Sequence, residues 1–221
     1  MLRSKSLNWM LLANVACACL MGPGTAAAQT ETWHLDPNHS SAQFSVRHMG
    51  ISTVRGAFTK LSGDVMYDPS NVSQSTIDVV IDATSVDTHV EMRDKDLRGD
   101  HFLNVAQYPT LTFKSKRVTP AGTGKLQVTG DLTLHGVTKE VTLDVDGPTA
   151  PMKDPRGNLH MGASATTKID RTDFGMAGMT AMVGSEVSIQ IDVELVQRLG
   201  PPRGSGQAPP AGQAPPPSAP H

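Results

Sequence analysis

The stretch GKLQVTGDLTLHGVTKEVTLDV, from Gly124 to Val145, decides the fold. Apolar and polar residues alternate from Leu126 to Leu134, and the alternation resumes from Val141 to Val145. A period of two places the apolar side chains on one face of a β-strand. Two such strands joined by a few residues that include Gly136 predict an antiparallel hairpin.

The apolar pattern also predicts the register of this hairpin. If both apolar sets share a face, the numbers of paired residues must add up to an odd number, because a slip of one residue turns a strand over. We expect Leu134 opposite Val141 and His135 opposite Glu140, with Gly136–Lys139 as the connecting loop.

The same alternation recurs along most of the chain. Its further segments are Ala42–His48, Val65–Tyr67, Ile77–Ala83, Leu111–Ser115, Leu159–Ile169 and Val187–Leu195. Ile51–Tyr67 is either one long strand or a bent pair, in which Gly56 and Gly63 are candidate bulges. These patterns predict an all-β fold, a sandwich or an antiparallel β-barrel of about eight strands. A barrel of that size is either filled by side chains or holds one small ligand.

A single helical segment interrupts the strands at Thr88–Arg98. Thr88 with Glu91 predicts a capping box, and Gly99 predicts the end of the helix. Residues at i, i+3, i+4 and i+7 share one helix face, and here they are Val90, Arg93, Asp94 and Leu97. We expect this short helix to be a lid over one end of the barrel.

Both ends of the chain have the composition of segments outside the domain. Residues 1–28 combine a basic start, an apolar run and the small residues Ala26–Ala28, which predicts a secretory signal peptide. Cys17 and Cys19 lie inside it, so the mature chain has no cysteine. Residues 199–221 are rich in Pro and Gly and predict a disordered tail. The barrel domain is therefore expected at residues 29–198.

Composition and motifs exclude several function classes. A formal net charge of −2 argues against a nucleic-acid partner. The mature chain has no long apolar run for stable membrane insertion. The histidines lack HxH and HxxxH spacing, so no zinc motif is present. Phosphate-loop, dinucleotide and G-x-S-x-G signatures are absent as well, so we expect no metal and no cofactor.

Five stretches resemble the YceI-like polyisoprenoid-binding family. They are DPNHSSAQFSVRHMGISTVRGAFTKLSGDV (Asp36–Val65), SVDTHVEMRDKDLRGDHF (Ser85–Phe102), YPTLTFKS (Tyr108–Ser115), GDLTLHGVTKEVTL (Gly130–Leu143) and IDRTDFGM (Ile169–Met176). The resemblance implies a lipocalin-like barrel in the bacterial periplasm. It also implies an apolar pocket that binds or transports an isoprenoid chain, such as a polyprenyl phosphate or a quinone tail, without catalysis.

The apolar residues that we expect around this ligand come from most of the strands, the helix and the loop near residue 175. They are Phe44, Val46, Phe58, Val65, Val79, Ile81, Val90, Leu97, Leu111, Phe113, Leu132, Leu134, Val141, Leu143, Ile169, Phe174, Met176, Met179, Ile189 and Ile191. Arg93 and Arg171 are the candidate contacts for a phosphate head group.

Two other functions stay open from the sequence alone. One is an enzyme that acts on a small apolar substrate, with His101 and Asp94 as its acid–base pair. The other is a solid barrel that acts as an interaction module through its Pro-rich tail. The sequence is also compatible with a homodimer.

Overall fold

The structure, a computed structural model, describes residues 31–198; the predicted signal peptide and the predicted tail lie outside them. This part of the chain contains twelve β-strands and one α-helix. In chain order they are β1 (Glu31–Leu35), β2 (Ser41–His48), β3 (Ser52–Phe58), β4 (Leu61–Tyr67), β5 (Thr76–Asp82), β6 (Val86–Asp87), α1 (Glu91–Arg98), β7 (Thr110–Pro120), β8 (Lys125–Leu134), β9 (Val137–Asp146), β10 (Met152–Lys153), β11 (Leu159–Asp170) and β12 (Val183–Gln197).

Eight of these strands form a closed antiparallel barrel, as the sequence predicts. Their order around the ring is β1, β4, β5, β7, β8, β9, β11 and β12, and β12 pairs with β1 to close it. The longest pairing joins β11 to β12, from Leu159 opposite Gln197 to Asp170 opposite Glu186. Closure leaves the ring without a free edge, so the apolar faces of all the strands point into one enclosed space.

Three breaks bend the barrel wall on one side. The chain leaves one strand and enters the next at residues 36–40, 59–60 and 83–85. At the second break, β3 pairs with β2 and β6, whereas β4 pairs with β1 and β5. The segment Ile51–Tyr67 is therefore a bent pair, one of the two arrangements expected for it. The backbone N–H groups of Thr59 and Lys60 both donate to Ser85 Oγ at 3.2 Å, which ties the second break to the third.

The central hairpin forms with a tighter turn than the sequence analysis predicted. Leu134 lies opposite Val137 instead of Val141, and the turn consists of His135 and Gly136 alone. Both turn residues have positive φ, 52° and 73°, as a type I′ turn requires. The predicted partner of Leu134 was therefore wrong by four residues. The numbers of the paired residues still add up to an odd number, so the predicted inward face of the hairpin is correct.

The environment of His135 explains this turn. Its Nδ1 lies 3.1 Å from the carbonyl oxygen of Phe174, and its ring packs edge-on against Tyr108 at a centroid distance of 4.8 Å. These contacts hold a non-glycine residue in the left-handed region. The predicted pairing of His135 with Glu140 was therefore wrong, and Asp131 lies opposite Glu140.

Gly56 and Gly63 are not bulges, contrary to prediction. The registers through both residues are continuous, and the irregularities lie at Ser115–Arg117 and at Val183–Val187. The two glycines instead allow close approach of neighbouring atoms. A Cβ at Gly56 would lie 2.6 Å from the ring of Phe44, closer than atoms can pack.

The helix α1 starts later than predicted, and no capping box forms. Val90 is the residue before its first turn and makes no side-chain cap. Thr88 binds the buried carboxylate of Asp94, to which its backbone N–H donates at 2.8 Å. This bond competes with the predicted cap because Asp94 reaches back over the same turn. Gly99 does follow the helix, as predicted, and its N–H donates to Asp96.

α1 and the segment after it cover one end of the barrel, which we call the helix end. Leu97 and Leu103 pack there against Leu134, where β8 ends, and against Ile169, where β11 ends. A second buried cluster around Trp33 and Leu195, and a third around Phe113, fill other parts of the interior. The position of α1 agrees with the predicted lid.

Candidate functional site

The candidate site is an apolar cavity inside the barrel. It has a volume of about 280 Å³, and its wall exposes only apolar atoms. Its lining extends from Leu97 and Met176 at the helix end to Leu35 and Leu195 in the cluster around Trp33. An apolar cavity of about 150 Å³ stays dry because its wall offers water no hydrogen bonds, and it is large enough to bind a small hydrocarbon. The interior of this barrel therefore suits an apolar ligand better than water.

Most of the predicted lining residues lie on this cavity. They are Phe44, Val46, Phe58, Val65, Val79, Ile81, Leu97, Leu111, Phe113, Leu132, Leu134, Val141, Leu143, Ile169, Met176, Ile189 and Ile191. Three of the predicted residues lie elsewhere. Val90 and Met179 are exposed at the surface, and Phe174 is buried in the core around Leu103 and Leu134.

Further residues line the cavity that were not predicted as ligand contacts. Val187, Val193 and Leu195 on β12 share the inward phase of Ile189 and Ile191, so strand alternation was sufficient to find them. Phe102 and Leu103 come from the irregular segment after α1. That segment carries no periodic pattern, so no sequence signal identified them.

Arg171 lines the cavity at the helix end, but its guanidinium is bound to the protein. It is 4% exposed. Nε donates to Gly184 O at 3.0 Å and Nη2 to Val183 O at 2.8 Å, and Nη1 donates to Met176 O. Burial lowers the pKa of Arg171 from its usual value, and neighbouring Asp170 opposes that effect. These bonds connect Arg171 to the segment between β11 and β12 and to the start of β12. The predicted contact of Arg171 with a head group stays a prediction.

Arg93 does not reach the cavity. Its Nε donates to Thr88 Oγ1 and its Nη2 to Thr88 O, each at 2.8 Å. Together with Asp94 it encloses Thr88 at the start of α1. Its head-group role also stays a prediction, without a cavity contact to support it.

The enzyme hypothesis needs His101 and Asp94 in contact, and each of them has a different partner among the described residues. The carboxylate of Asp94 is buried and accepts from Thr88. His101 is exposed, and the carboxylate within ion-pair distance of it belongs to Asp100, with Nε2 4.0 Å from Oδ1. Among the described residues, no hydrogen bond or ion pair joins His101 to Asp94.

Asp170 holds the turn that carries Arg171, and its charge gives a pH prediction. Its carboxylate accepts from Thr172 N at 2.8 Å and from Ser185 Oγ at 2.8 Å. The Thr172 hydroxyl, and next the Ser185 hydroxyl, hold the pKa of Asp170 below its usual value of 3.8. A lowered folded-state pKa stabilises the protein above the unfolded value, and this stabilisation is lost as the pH falls through the folded value.

We expect Asp170→Asn to lower the free energy of unfolding at pH 7 and to lose that effect in acid. Asparagine keeps an oxygen for Thr172, but it removes the charge and puts an amide nitrogen in place of Oδ2, which accepts from Ser185 Oγ. Urea unfolding of both proteins at pH 7 and below pH 3.8 measures the difference. A difference that stays constant across this range would contradict the assigned role of the charge.

The fold and the cavity together define a class of protein. A closed barrel of eight strands with an apolar interior is the architecture that holds one small ligand. The family comparison then gives the particular assignment: residues 33–195 match the model of the YceI-like domain, and the chain belongs to that family.

Bacterial relatives cover most of the chain. A UPF0312 protein of Vibrio parahaemolyticus is 39% identical over 160 residues, which are 72% of this chain and 83% of the relative. A UPF0312 protein of Shewanella denitrificans is 36% identical over 188 residues, or 85% and 98% of the two chains.

Solved structures share the fold. Burkholderia cenocepacia BcnA has a TM-score of 0.64 and 26% identity, over 72% of this chain and 98% of its own. The Campylobacter jejuni YceI protein has a TM-score of 0.62 and 31% identity, over 69% and 90% of the two chains. A polyisoprenoid-binding domain from Saccharophagus degradans has a TM-score of 0.55 over 75% and 98%, and at 17% identity it supports the fold alone.

Proposed function

We propose that this protein binds an isoprenoid-type lipid, a polyprenyl phosphate or a quinone tail, inside the barrel and carries it through the periplasm. The observation that carries the proposal is the apolar cavity of about 280 Å³ with its wall of Leu, Ile, Val, Phe and Met side chains. Membership of the YceI-like family adds support for the ligand class, because the resemblance to that family implies an isoprenoid ligand. The predicted signal peptide adds support for the compartment.

The physical reason for such a carrier is the cost of exposing a prenyl chain to water. Each methylene-sized group moved from water into an apolar site is worth roughly 0.8 kcal/mol. A few isoprene units enclosed by the barrel therefore give a substantial driving force without any polar contact.

The described residues contain no helix with the length and apolar character of a membrane span.

Native mass spectrometry of the protein purified from its own periplasm, followed by organic extraction, tests the proposal. We expect a co-purifying prenyl lipid in near-stoichiometric amount, and the same spectrum shows whether the protein is a monomer or the predicted homodimer. If neither the purified protein nor protein mixed with prenyl lipids carries a bound chain, the proposal is wrong.

A substitution that fills the cavity locates the site. Ala165 on β11 is buried and lines the cavity between Val145 and Ile191. We expect Ala165→Phe to weaken prenyl-lipid binding at least about tenfold, because displacing two methylene-sized contacts costs about 1.6 kcal/mol. Fluorescence titration with a labelled prenyl lipid measures the change.

Thr166→Phe is the matched control. Thr166 is the next residue on the same strand, and it is exposed on the outer face of the barrel. The control variant is expected to bind lipid like the natural protein. Equal losses in both variants, or no loss in Ala165→Phe, would place the ligand outside this cavity.

A further inference from the structure

A second cluster of chemically active side chains lies outside the cavity, where the chain passes from β1 to β2. Asp36 and His39 lie in this connection, and Glu194 lies beside them on β12. We propose that these three side chains bind a divalent transition-metal ion, with Zn²⁺ as its probe. The site is independent of lipid binding, since its groups lie outside the barrel interior.

The distances within the cluster fit a metal ion. His39 Nδ1 lies 3.1 Å from Asp36 Oδ2 and 3.9 Å from Glu194 Oε2, and one ligand atom from each residue lies within 4.8 Å of the others. Tetrahedral zinc with bonds of 2.0–2.2 Å separates its ligand atoms by about 3.3 Å. Small side-chain rotations are therefore enough to close the three donors around one ion.

The backbone holds the three donors in place before any ion arrives. Asp36 uses its other oxygen, Oδ1, to accept from Asn38 N at 2.8 Å, which leaves Oδ2 facing His39. Asp36 N donates to Glu194 O at 2.9 Å, and Glu194 N donates to Ser40 Oγ at 3.1 Å. The loop and the strand are thus joined on both sides of the cluster.

A second layer of side chains orients Glu194. His160 Nδ1 lies 2.7 Å from Glu194 Oε1, the oxygen that does not face His39. The other ring nitrogen of His160 lies 3.2 Å from Asp154 Oδ2. Asp154 in turn accepts from the backbone of Asn158 at 2.8 Å. Metal sites commonly support their ligating carboxylates with such a hydrogen-bonded outer layer.

The surroundings favour a cation and leave room for a further ligand. His39, His160 and Glu194 line an open groove between β11, β12 and the segment around β10. Asp146, Asp154 and Asp192 also line it, and Lys153 is the cationic residue among its lining residues. Three protein donors with one side open match the coordination of zinc sites that keep a water or a further ligand.

The donor set determines the chemical class of the ion. One imidazole and two carboxylates suit Zn²⁺, Mn²⁺ or Fe²⁺, whereas Ca²⁺ prefers six to eight oxygens. No sequence motif indicates this site, because His39 and Glu194 are 155 residues apart along the chain and only the barrel brings them together.

The test is equilibrium dialysis of the untagged full chain against Zn²⁺ after removal of metal with a chelator. We expect one Zn²⁺ per chain, and a tetrahedral Co²⁺ absorption spectrum that Zn²⁺ abolishes. His39→Ala and Asp36→Asn are expected to weaken binding at least about 100-fold, and His160→Ala by roughly 10–100-fold. Asp36→Asn keeps an oxygen for the Asn38 turn, so it protects the test against misfolding.

His34→Ala is the matched control. His34 and Asp64 also form a histidine–carboxylate pair, with Nδ1 2.6 Å from Oδ1, but they are not part of the cluster. The control variant is expected to keep the affinity of the natural protein. Zn²⁺ binding that persists in His39→Ala and Asp36→Asn, or that His34→Ala reduces equally, would overturn the site.

Discussion

Arg171→Met is expected to lower the free energy of unfolding by about 3 kcal/mol. The guanidinium donates to three main-chain carbonyls, those of Met176, Val183 and Gly184. Hydrogen bonds to charged groups are worth about 1.5–3 kcal/mol each, so the loss of three of them outweighs the free energy regained when the buried charge is removed. Removing an unpaired buried charge gives back several kcal/mol, which is why the net loss is smaller than the sum. Urea unfolding at neutral pH measures it.

Arg93→Met is the control for this prediction. Among the described residues Arg93 donates to Thr88 alone. Because Arg93 is half-buried, water can replace much of these two bonds, and its replacement is expected to cost about 1 kcal/mol. Arg171→Lys tests the geometry, because lysine keeps the charge but lacks the three-nitrogen arrangement. A loss below about 1 kcal/mol in Arg171→Met would mean that the relief of desolvation outweighs the carbonyl bonds, contrary to our argument.

The strand pattern was predictable because it is local. On β12, inward and outward residues alternate without interruption from Val187 to Leu195, and the structure places this inward set on the cavity. A one-residue error would have exposed every apolar side chain, so burial alone fixes the face. The inward face of the central hairpin was predicted correctly for the same reason.

The hairpin register was not predictable in the same way. Burial fixes only whether the pairing numbers add up to an odd number, and several registers meet that condition. The choice among them depends on the turn, and His135–Gly136 lacks the Asn-Gly or Asp-Gly signal of a type I′ turn. Contacts of His135 with Tyr108 and Phe174, which are distant in sequence, stabilise that turn.

The residues that irregular segments contribute to the candidate site could not be predicted from strand or helix periodicity either. Phe102 and Leu103 follow α1 without periodicity, and they line the cavity because the segment folds over the helix end. Arg171 was recognised as a charge near the cavity. Its three carbonyl partners depend on how the chain returns from β11 to β12, which no local rule determines.

Gly63→Ala is expected to cost about 3 kcal/mol of unfolding free energy, and it tests why glycine occurs in the barrel wall. A Cβ at Gly63 would overlap Asp78 O and lie 2.9 Å from Val79 Cα, both on the paired strand β5. These are backbone atoms in a continuous ladder, so they cannot move aside without breaking the pairing of β4 with β5. Thermal and urea unfolding measure the loss.

Gly50→Ala measures the cost of a positive φ without any overlap. Gly50 has φ of +69°, but a Cβ there would meet no atom within 4 Å. Its replacement carries only the left-handed strain of about 1 kcal/mol. If Gly63→Ala were as mild as Gly50→Ala, the strands at Gly63 would be able to move apart at little cost, and the explanation of this glycine by close approach would be wrong. A clearly larger loss at Gly63 shows instead that the close approach of β5, together with a φ of +156° that is essentially restricted to glycine, excludes a side chain there.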